Sequence, residues 1–205
     1  MAIEIVEHAS DAAIADWLAQ RLNAALSETG GRIAISVPGG STPFPILALL
    51  AKRPLQWSRI DVWPGDDRIV PEQHAASNVG RIRPLLEPVG AKVIALTEDA
   101  VPPHFAVVWL GMGEDGHIAS LFPNTDPRPT DPLRLRRIKP NPLPPEAPFD
   151  RLSLTMPALL NSDALVFVIR GTAKLDLFRA AIADAADLPI ARLLQAARQD
   201  VTCFA

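Results

Sequence analysis

His117 stands where a short apolar run, Ala106 to Leu110, breaks into Gly111-Met112-Gly113-Glu114-Asp115-Gly116, and it is followed by Ile118-Ala119-Ser120-Leu121-Phe122-Pro123. Glycines let a backbone turn sharply and approach a ligand closely, and an imidazole exchanges protons near neutral pH. Asp115, two residues earlier, is spaced to orient the ring and to stabilise its imidazolium form. The pair reads as a general base with its partner. His8, His74 and His104 have no such frame. Ser120 is a poor nucleophile candidate, because Gly116-His117-Ile118-Ala119-Ser120 lacks the G-x-S-x-G elbow that exposes a serine at a strained turn. Water activated by His117 is the more economical chemistry. Gly111, Gly113 and Gly116 also match the G-x-G-x-x-G dinucleotide spacing, which requires a following helix and an acidic strand end about 20 residues on. That position falls near Asp131 in a proline-rich stretch, so the match reads as accidental.

Other loops offer groups for an anion. Gly39-Gly40-Ser41-Thr42-Pro43 combines flexible backbone, two hydroxyls and a helix start whose N–H groups lack partners, the parts of a phosphate cradle. It is not a P-loop, since no Gly-Lys-Ser/Thr ending supplies the lysine; the ordinary alternative is a plain turn with an N-cap. In Asp66-Asp67-Arg68 the arginine argues against a bare cation site and suits a salt bridge or an anion contact. Asn78, after Ser77, is read as a helix cap in preference to a ligand contact. Lys174, after Arg170-Gly171-Thr172-Ala173, stands at a helix start from which it could reach an anion, though a surface lysine is the simpler reading.

These loops need a frame. Asp11 to Glu28 places Ile14, Trp17, Leu18, Leu22, Ala25 and Leu26 at helical spacing, with Ser10 or Asp11 as cap and Gly30-Gly31 as terminator. Arg32 to Val37 is β-like and leads through the Gly39 loop into an apolar helix ending near Lys52. Ile60 to Trp63 precedes an acidic loop and a helix Ser77 to Leu86; Ala106 to Leu110 precedes the glycine loop; Ala164 to Ile169 precedes Gly171 and a helix from about Thr172 to Ala185. Repeated strand, loop and helix predict an α/β fold with a largely parallel sheet, and ligands in such folds lie at the carboxyl ends of the strands. Pro123 to Pro148, proline-rich and carrying Arg134, Arg136, Arg137 and Lys139, shows no apolar periodicity and is expected to run as an extended surface segment, a candidate lid.

Composition narrows the function classes. At 205 residues with 48% hydrophobic and 21% charged residues, one domain spanning 1–205 is the default. A net charge of −3 gives no general attraction to nucleic acid or to an anionic membrane, so an anionic ligand must be held by local cations and backbone donors. The basic stretch 134–139 lacks the aromatics that stack bases. No apolar run reaches membrane-spanning length, Cys203 is the lone cysteine, and no Cys/His spacing suits zinc. The amino-terminal stretch lacks a secretory pattern. The expectation is a cytoplasmic protein, a monomer or small homo-oligomer, acting on a small phosphorylated metabolite without metal or organic cofactor.

Together the motifs resemble the glucosamine-6-phosphate isomerase/6-phosphogluconolactonase family. Its members carry G-G-S-T-P, then D-E-R-x-V-P with S-N, then L-G-x-G-x-D-G-H-x-A-S-L-F-P, then R-x-T-x-T and G-x-x-K. Here these are Gly39 to Pro43, Asp66 to Pro71 with Ser77-Asn78, Leu110 to Pro123, Arg151 to Thr155, and Gly171 to Lys174. The resemblance implies a Rossmann-like three-layer sandwich and hydrolysis of 6-phospho-D-glucono-1,5-lactone to 6-phosphogluconate in the oxidative pentose phosphate pathway. Carried over by position, His117 is the base and Asp115 its partner; Gly39, Gly40, Ser41, Thr42, Arg68 and Lys174 hold the phosphate and sugar. Backbone N–H groups of the glycine loop are candidates to stabilise the oxyanion. Asp67 replaces the usual Glu and Ser153 the first Thr, and the segment between Leu86 and Val107 is short for the family and lacks a helix. Two alternatives on the same scaffold are an amino-sugar-phosphate deaminase or isomerase and a non-catalytic sugar-phosphate effector domain. Deaminases place a carboxylate after the histidine in F-N-E-P, where this chain has Ser120-Leu121-Phe122-Pro123. Effector domains are accompanied by a DNA-binding region, and no helix-turn-helix precedes residue 10.

Overall fold

The loops singled out above leave one side of a parallel sheet. In the computed structural model, which describes residues 1–140, 148–184 and 186–205, the strands are β1 (Ile3–Val6), β2 (Ile33–Val37), β3 (Ile60–Pro64), β4 (Asp66–Arg68) and β5 (Lys92–Val93). They continue as β6 (Val107–Leu110), β7 (Leu135–Ile138), β8 (Arg151–Leu154), β9 (Ala164–Val168) and β10 (Asp200–Phe204). Seven pair in parallel in the order β1-β10-β9-β6-β2-β3-β5. The other three form an antiparallel sheet, β4-β8-β7.

Helices α1 (Asp11–Glu28), α2 (Pro43–Leu50), α3 (Asn78–Leu86), α4 (Met156–Leu159), α5 (Thr172–Ile182) and α6 (Pro189–Ala196) separate the strands. Both faces of the large sheet are covered, which is why its strands read as apolar runs and not as alternating ones. Successive side chains still divide between two cores: Val107 and Trp109 of β6 pack with α1, α2 and α3, while Val108 and Leu110 pack with α5, α6 and the small sheet. The start of α1 is fixed by Ser10, whose hydroxyl accepts the Ala13 N–H. Residues 87–106 carry no helix, only β5, yet Leu96 and Phe105 from this short segment join the second core. Among the described residues no helix is long and apolar enough to cross a membrane.

Two expectations need correction. The 123–148 stretch, expected as an extended surface segment, contributes a sheet strand: Leu135 to Ile138 pairs in the small sheet, with Leu135 and Ile138 buried and Arg136 and Arg137 exposed. Its buried positions are three apart, so it shows neither strand alternation nor an amphipathic run, and only pairing with β8 defines it. The lid reading falls in part on residues 141–147, which lie outside the described residues. The helix expected from Thr172 to about Ala185 ends at Ile182, and residue 185 is likewise outside them.

The strand order decides where a ligand sits. From β2 the chain proceeds outward to β3 and β5, and from β6 it proceeds the other way to β9 and β10. Such a reversal leaves a crevice outside the carboxyl ends of the two central strands. The Gly39 loop leaves β2 and the His117 loop leaves β6, so both open on this crevice.

Candidate active site

A cavity of about 510 Å³ occupies the crevice, and Gly39, Gly40, Ser41, Thr42, Arg68, His117 and Lys174 all line it. Asp115 stands behind His117. Its Oδ1 lies 2.6 Å from the ring Nδ1 and also accepts the His117 backbone N–H at 3.2 Å. Burial pushes the Asp115 carboxyl up, but the facing imidazole and the hydrogen bonds from His117 outweigh it and hold the group below its usual range. With Nδ1 engaged, Nε2 is the nitrogen left to exchange a proton. Phe122 packs against the ring with centroids 4.7 Å apart.

The loop that carries His117 is closed on itself. Gly113 N–H donates to the His117 carbonyl at 2.9 Å, Gly116 N–H to the Gly113 carbonyl at 3.2 Å, and Leu121 N–H to the Ile118 carbonyl at 2.8 Å. Gly116 and Ala119 hold φ of 75° and 49°, and for alanine that left-handed backbone costs roughly 1–2 kcal/mol. Ser120 fixes the far end: its hydroxyl donates to Asp66 Oδ2 and its N–H donates to Ser153 Oγ at 3.2 Å. The N–H groups of Gly113, Gly116, His117, Ser120 and Leu121 thus have acceptors within the protein, which narrows the oxyanion donors expected of this loop to its remaining N–H groups.

The opposite wall comes from β2, β4 and α3. Thr42 precedes α2 without making a side-chain cap, which leaves its hydroxyl available to a ligand, and Gly40 takes φ of 88°. At Gly39 a Cβ would lie 2.1 Å from Asn78 Oδ1, so only glycine lets the loop approach α3 this closely. The capping role expected for Asn78 belongs to Ser77, whose hydroxyl accepts Gly80 N–H at 3.0 Å, while Asp67 accepts the N–H groups of Asn78 and Val79. Asn78 is instead a buried wall of the cavity. Its Nδ2 donates to the Asp66 carbonyl at 2.7 Å, and its Oδ1 accepts Arg68 Nη1 at 3.4 Å. Arg68 Nη1 also donates to the Ala76 carbonyl at 3.0 Å, and its buried Nε has no partner among the described residues.

Among the described residues four cations line the cavity, two of them not singled out from sequence. Arg151, 5% exposed, stands directly across the β4–β8 ladder from Arg68 and lies 5.4 Å above the Phe122 ring. Burial lowers its pKa; the Asp66 charge opposes that and the Arg68 charge adds to it. Arg170 also lines the cavity and is tied to Asp11 at 2.7 Å. Asp66, 7% exposed, is the third residue missed. The alternation of β4 was the available signal, since it places Asp66 and Arg68 on the same face. Among the described residues no group of three or more His, Cys, Asp or Glu is placed to hold a metal ion.

Comparison with known proteins agrees with this architecture. The family model for glucosamine-6-phosphate isomerases/6-phosphogluconolactonase matches residues 7–101 and 88–203. The 6-phosphogluconolactonase of Pseudomonas aeruginosa is 36% identical, the match covering 89% of this chain and 86% of that protein. The 6-phosphogluconolactonase of Neisseria meningitidis serogroup B is 32% identical, with 96% and 94% covered. The crystal structure of a 6-phosphogluconolactonase from Shewanella baltica superposes with a TM-score of 0.81 at 26% identity, covering 100% of this chain and 97% of that one. That of the Thermotoga maritima 6-phosphogluconolactonase gives 0.82 at 22% identity, a likeness of fold, covering 99% and 98%. Matched through both halves of its sequence and over the whole of its parallel sheet, the chain belongs to the glucosamine-6-phosphate isomerase/6-phosphogluconolactonase family.

Proposed function

We propose that this chain hydrolyses 6-phospho-D-glucono-1,5-lactone to 6-phosphogluconate, the lactone-opening step of the oxidative pentose phosphate pathway. The observation that carries the reading is the His117–Asp115 pair, 2.6 Å apart, at the mouth of a cavity lined by cations. A lactone phosphate needs those two things: a dianion held at a distance from the reacting carbon, and a base beside that carbon. His117 Nε2 removes a proton from water, and the hydroxide adds to C1. Asp115 stabilises the imidazolium. The charge that develops on the carbonyl oxygen is met by the loop's remaining N–H groups and by the lining guanidinium groups, Arg151 being the one placed over Phe122. The tetrahedral intermediate then collapses with cleavage of the C1–O5 bond, and the imidazolium returns its proton to O5.

The same loop disfavours the amino-sugar deaminase. After His117, Ser120 is buried with its hydroxyl on Asp66, Leu121 is buried, and Phe122 covers the imidazole. No carboxylate occupies that stretch. The decisive assay is incubation with freshly generated lactone, with spontaneous hydrolysis subtracted: a rate proportional to protein concentration is expected, and a rate no faster than buffer overturns the reading. In the same assay Arg68→Ala is expected to raise KM about 10- to 100-fold with a smaller change in kcat, as for loss of a charge-assisted phosphate contact. An unaltered KM would remove Arg68 from the phosphate end.

A further inference from the structure

We infer that Asp66 is the acceptor that reads a ring hydroxyl of the sugar and thereby fixes which way round the substrate lies, a reading that rests on the proposed lactone hydrolysis. Asp66 is the sole carboxylate among the described residues lining the cavity; the other charged groups there are Arg68, Arg151, Arg170 and Lys174. Asp115 supports His117 from behind and is not among the residues lining this cavity. A phosphorylated lactone carries two kinds of polar group with opposite needs. Its phosphate accepts hydrogen bonds and repels a carboxylate, whereas its hydroxyls donate and must find acceptors once they leave water. Cations satisfy the first need and none of the second.

The carboxylate has capacity to spare. Oδ2 accepts the Ser120 hydroxyl, and Oδ1 receives only a long contact of 3.4 Å from Asn78 Nδ2. A carboxylate offers about four acceptor sites, so at least two remain for a ligand. The group is also held rigidly. Asp66 pairs with Ser153 across the β4–β8 ladder, and its own carbonyl accepts Asn78 Nδ2 at 2.7 Å. A fixed anion in a cationic cavity attracts the donor edge of the sugar and turns the phosphate away. Orientation is thus set by one fixed anion among cations.

The test uses wild-type protein, Asp66→Asn and Ser120→Ala, each assayed on the parent lactone and on its 2-deoxy, 3-deoxy and 4-deoxy analogues. Wild type is expected to lose roughly 10- to 100-fold in kcat/KM on one analogue, the range for losing a hydrogen bond to a charged group. Asp66→Asn is expected to lose most on the parent and least on that same analogue, so that the discrimination shrinks severalfold. Ser120→Ala is expected to keep the discrimination. Equal wild-type rates on all four lactones overturn the inference, and that measurement stands even if Asp66→Asn fails to fold. A uniform loss by Asp66→Asn on every substrate, or collapse of discrimination in Ser120→Ala, overturns it as well and assigns Asp66 to loop anchoring alone. Failure of the underlying reaction looks different: wild type then leaves the parent lactone at its spontaneous rate.

Discussion

Replacing His117 with alanine is expected to lower kcat by about 10²–10⁴-fold, the usual contribution of a positioned general base, with a much smaller change in KM. Among the described residues lining the cavity, the imidazole alone has a ring nitrogen placed to take a proton while the other is held by a carboxylate, Asp115, at 2.6 Å. Binding should survive, because the groups proposed to hold the phosphate, Arg68, Lys174 and the Gly39 loop, line the cavity from other elements and are left intact. Folding should survive too: the loop is closed by the His117 carbonyl, which alanine retains, and by Ser120. An unchanged melting temperature beside a collapsed kcat is therefore the expected pair of results. Turnover within a few fold of wild type would show that water attacks without this base. Rescue by added imidazole would place the missing function at the ring and nowhere else.

What can be read from sequence divides along a physical line. The strand–loop–helix units are local: Ser10, the apolar faces of α1 and the glycines after β2 and β6 act within a few residues of themselves, so the elements and the His117–Asp115 pair are legible in the residue order alone. Arg151, Asp66 and Asn78 escape such a reading because each acquires its role only through distant pairing. Arg151 faces the cavity because β8 aligns it with Arg68 of β4, and Asp66 does so because the same ladder sets it opposite Ser153. Asn78 resembles a cap because it follows a serine; the serine makes the cap, and the free amide turns to Asp66 and Arg68. β7 is hidden for the same reason, being a strand by virtue of its partner and not of its pattern. The glycine loop shows a subtler limit. Its composition suggests a nest of free N–H donors, but the number left over depends on how the turn closes, and this turn uses several of them internally.

Gly113 separates chemistry from folding more sharply than His117 does. A Cβ at this position would stand 2.1 Å from His117 Nδ1, 2.2 Å from Cε1 and 2.7 Å from Asp115 Oδ1, inside both members of the pair and at the hydrogen bond that joins them. Gly113 is not among the positive-φ residues, so alanine is acceptable to the backbone and the collision falls on the two side chains. The imidazole, 31% exposed on its side chain, has room to swing outward and relieve it. Gly113→Ala is therefore expected to fold with nearly native stability while losing about 10²-fold in kcat, the scale attached to a misplacement of about 1 Å at a reacting group. Gly116→Ala provides the contrast. There φ is 75° and a Cβ meets Leu188 Cδ1 at 2.9 Å, so strain falls on backbone and core, and the melting temperature should drop. If Gly113→Ala retained full turnover, His117 and Asp115 would not need their observed contact, and the base would have to act without its carboxylate. If it lost stability as Gly116→Ala does, the glycine would be there for the turn. A normal melting curve with crippled turnover would mean that this glycine is required by the imidazole it leaves room for.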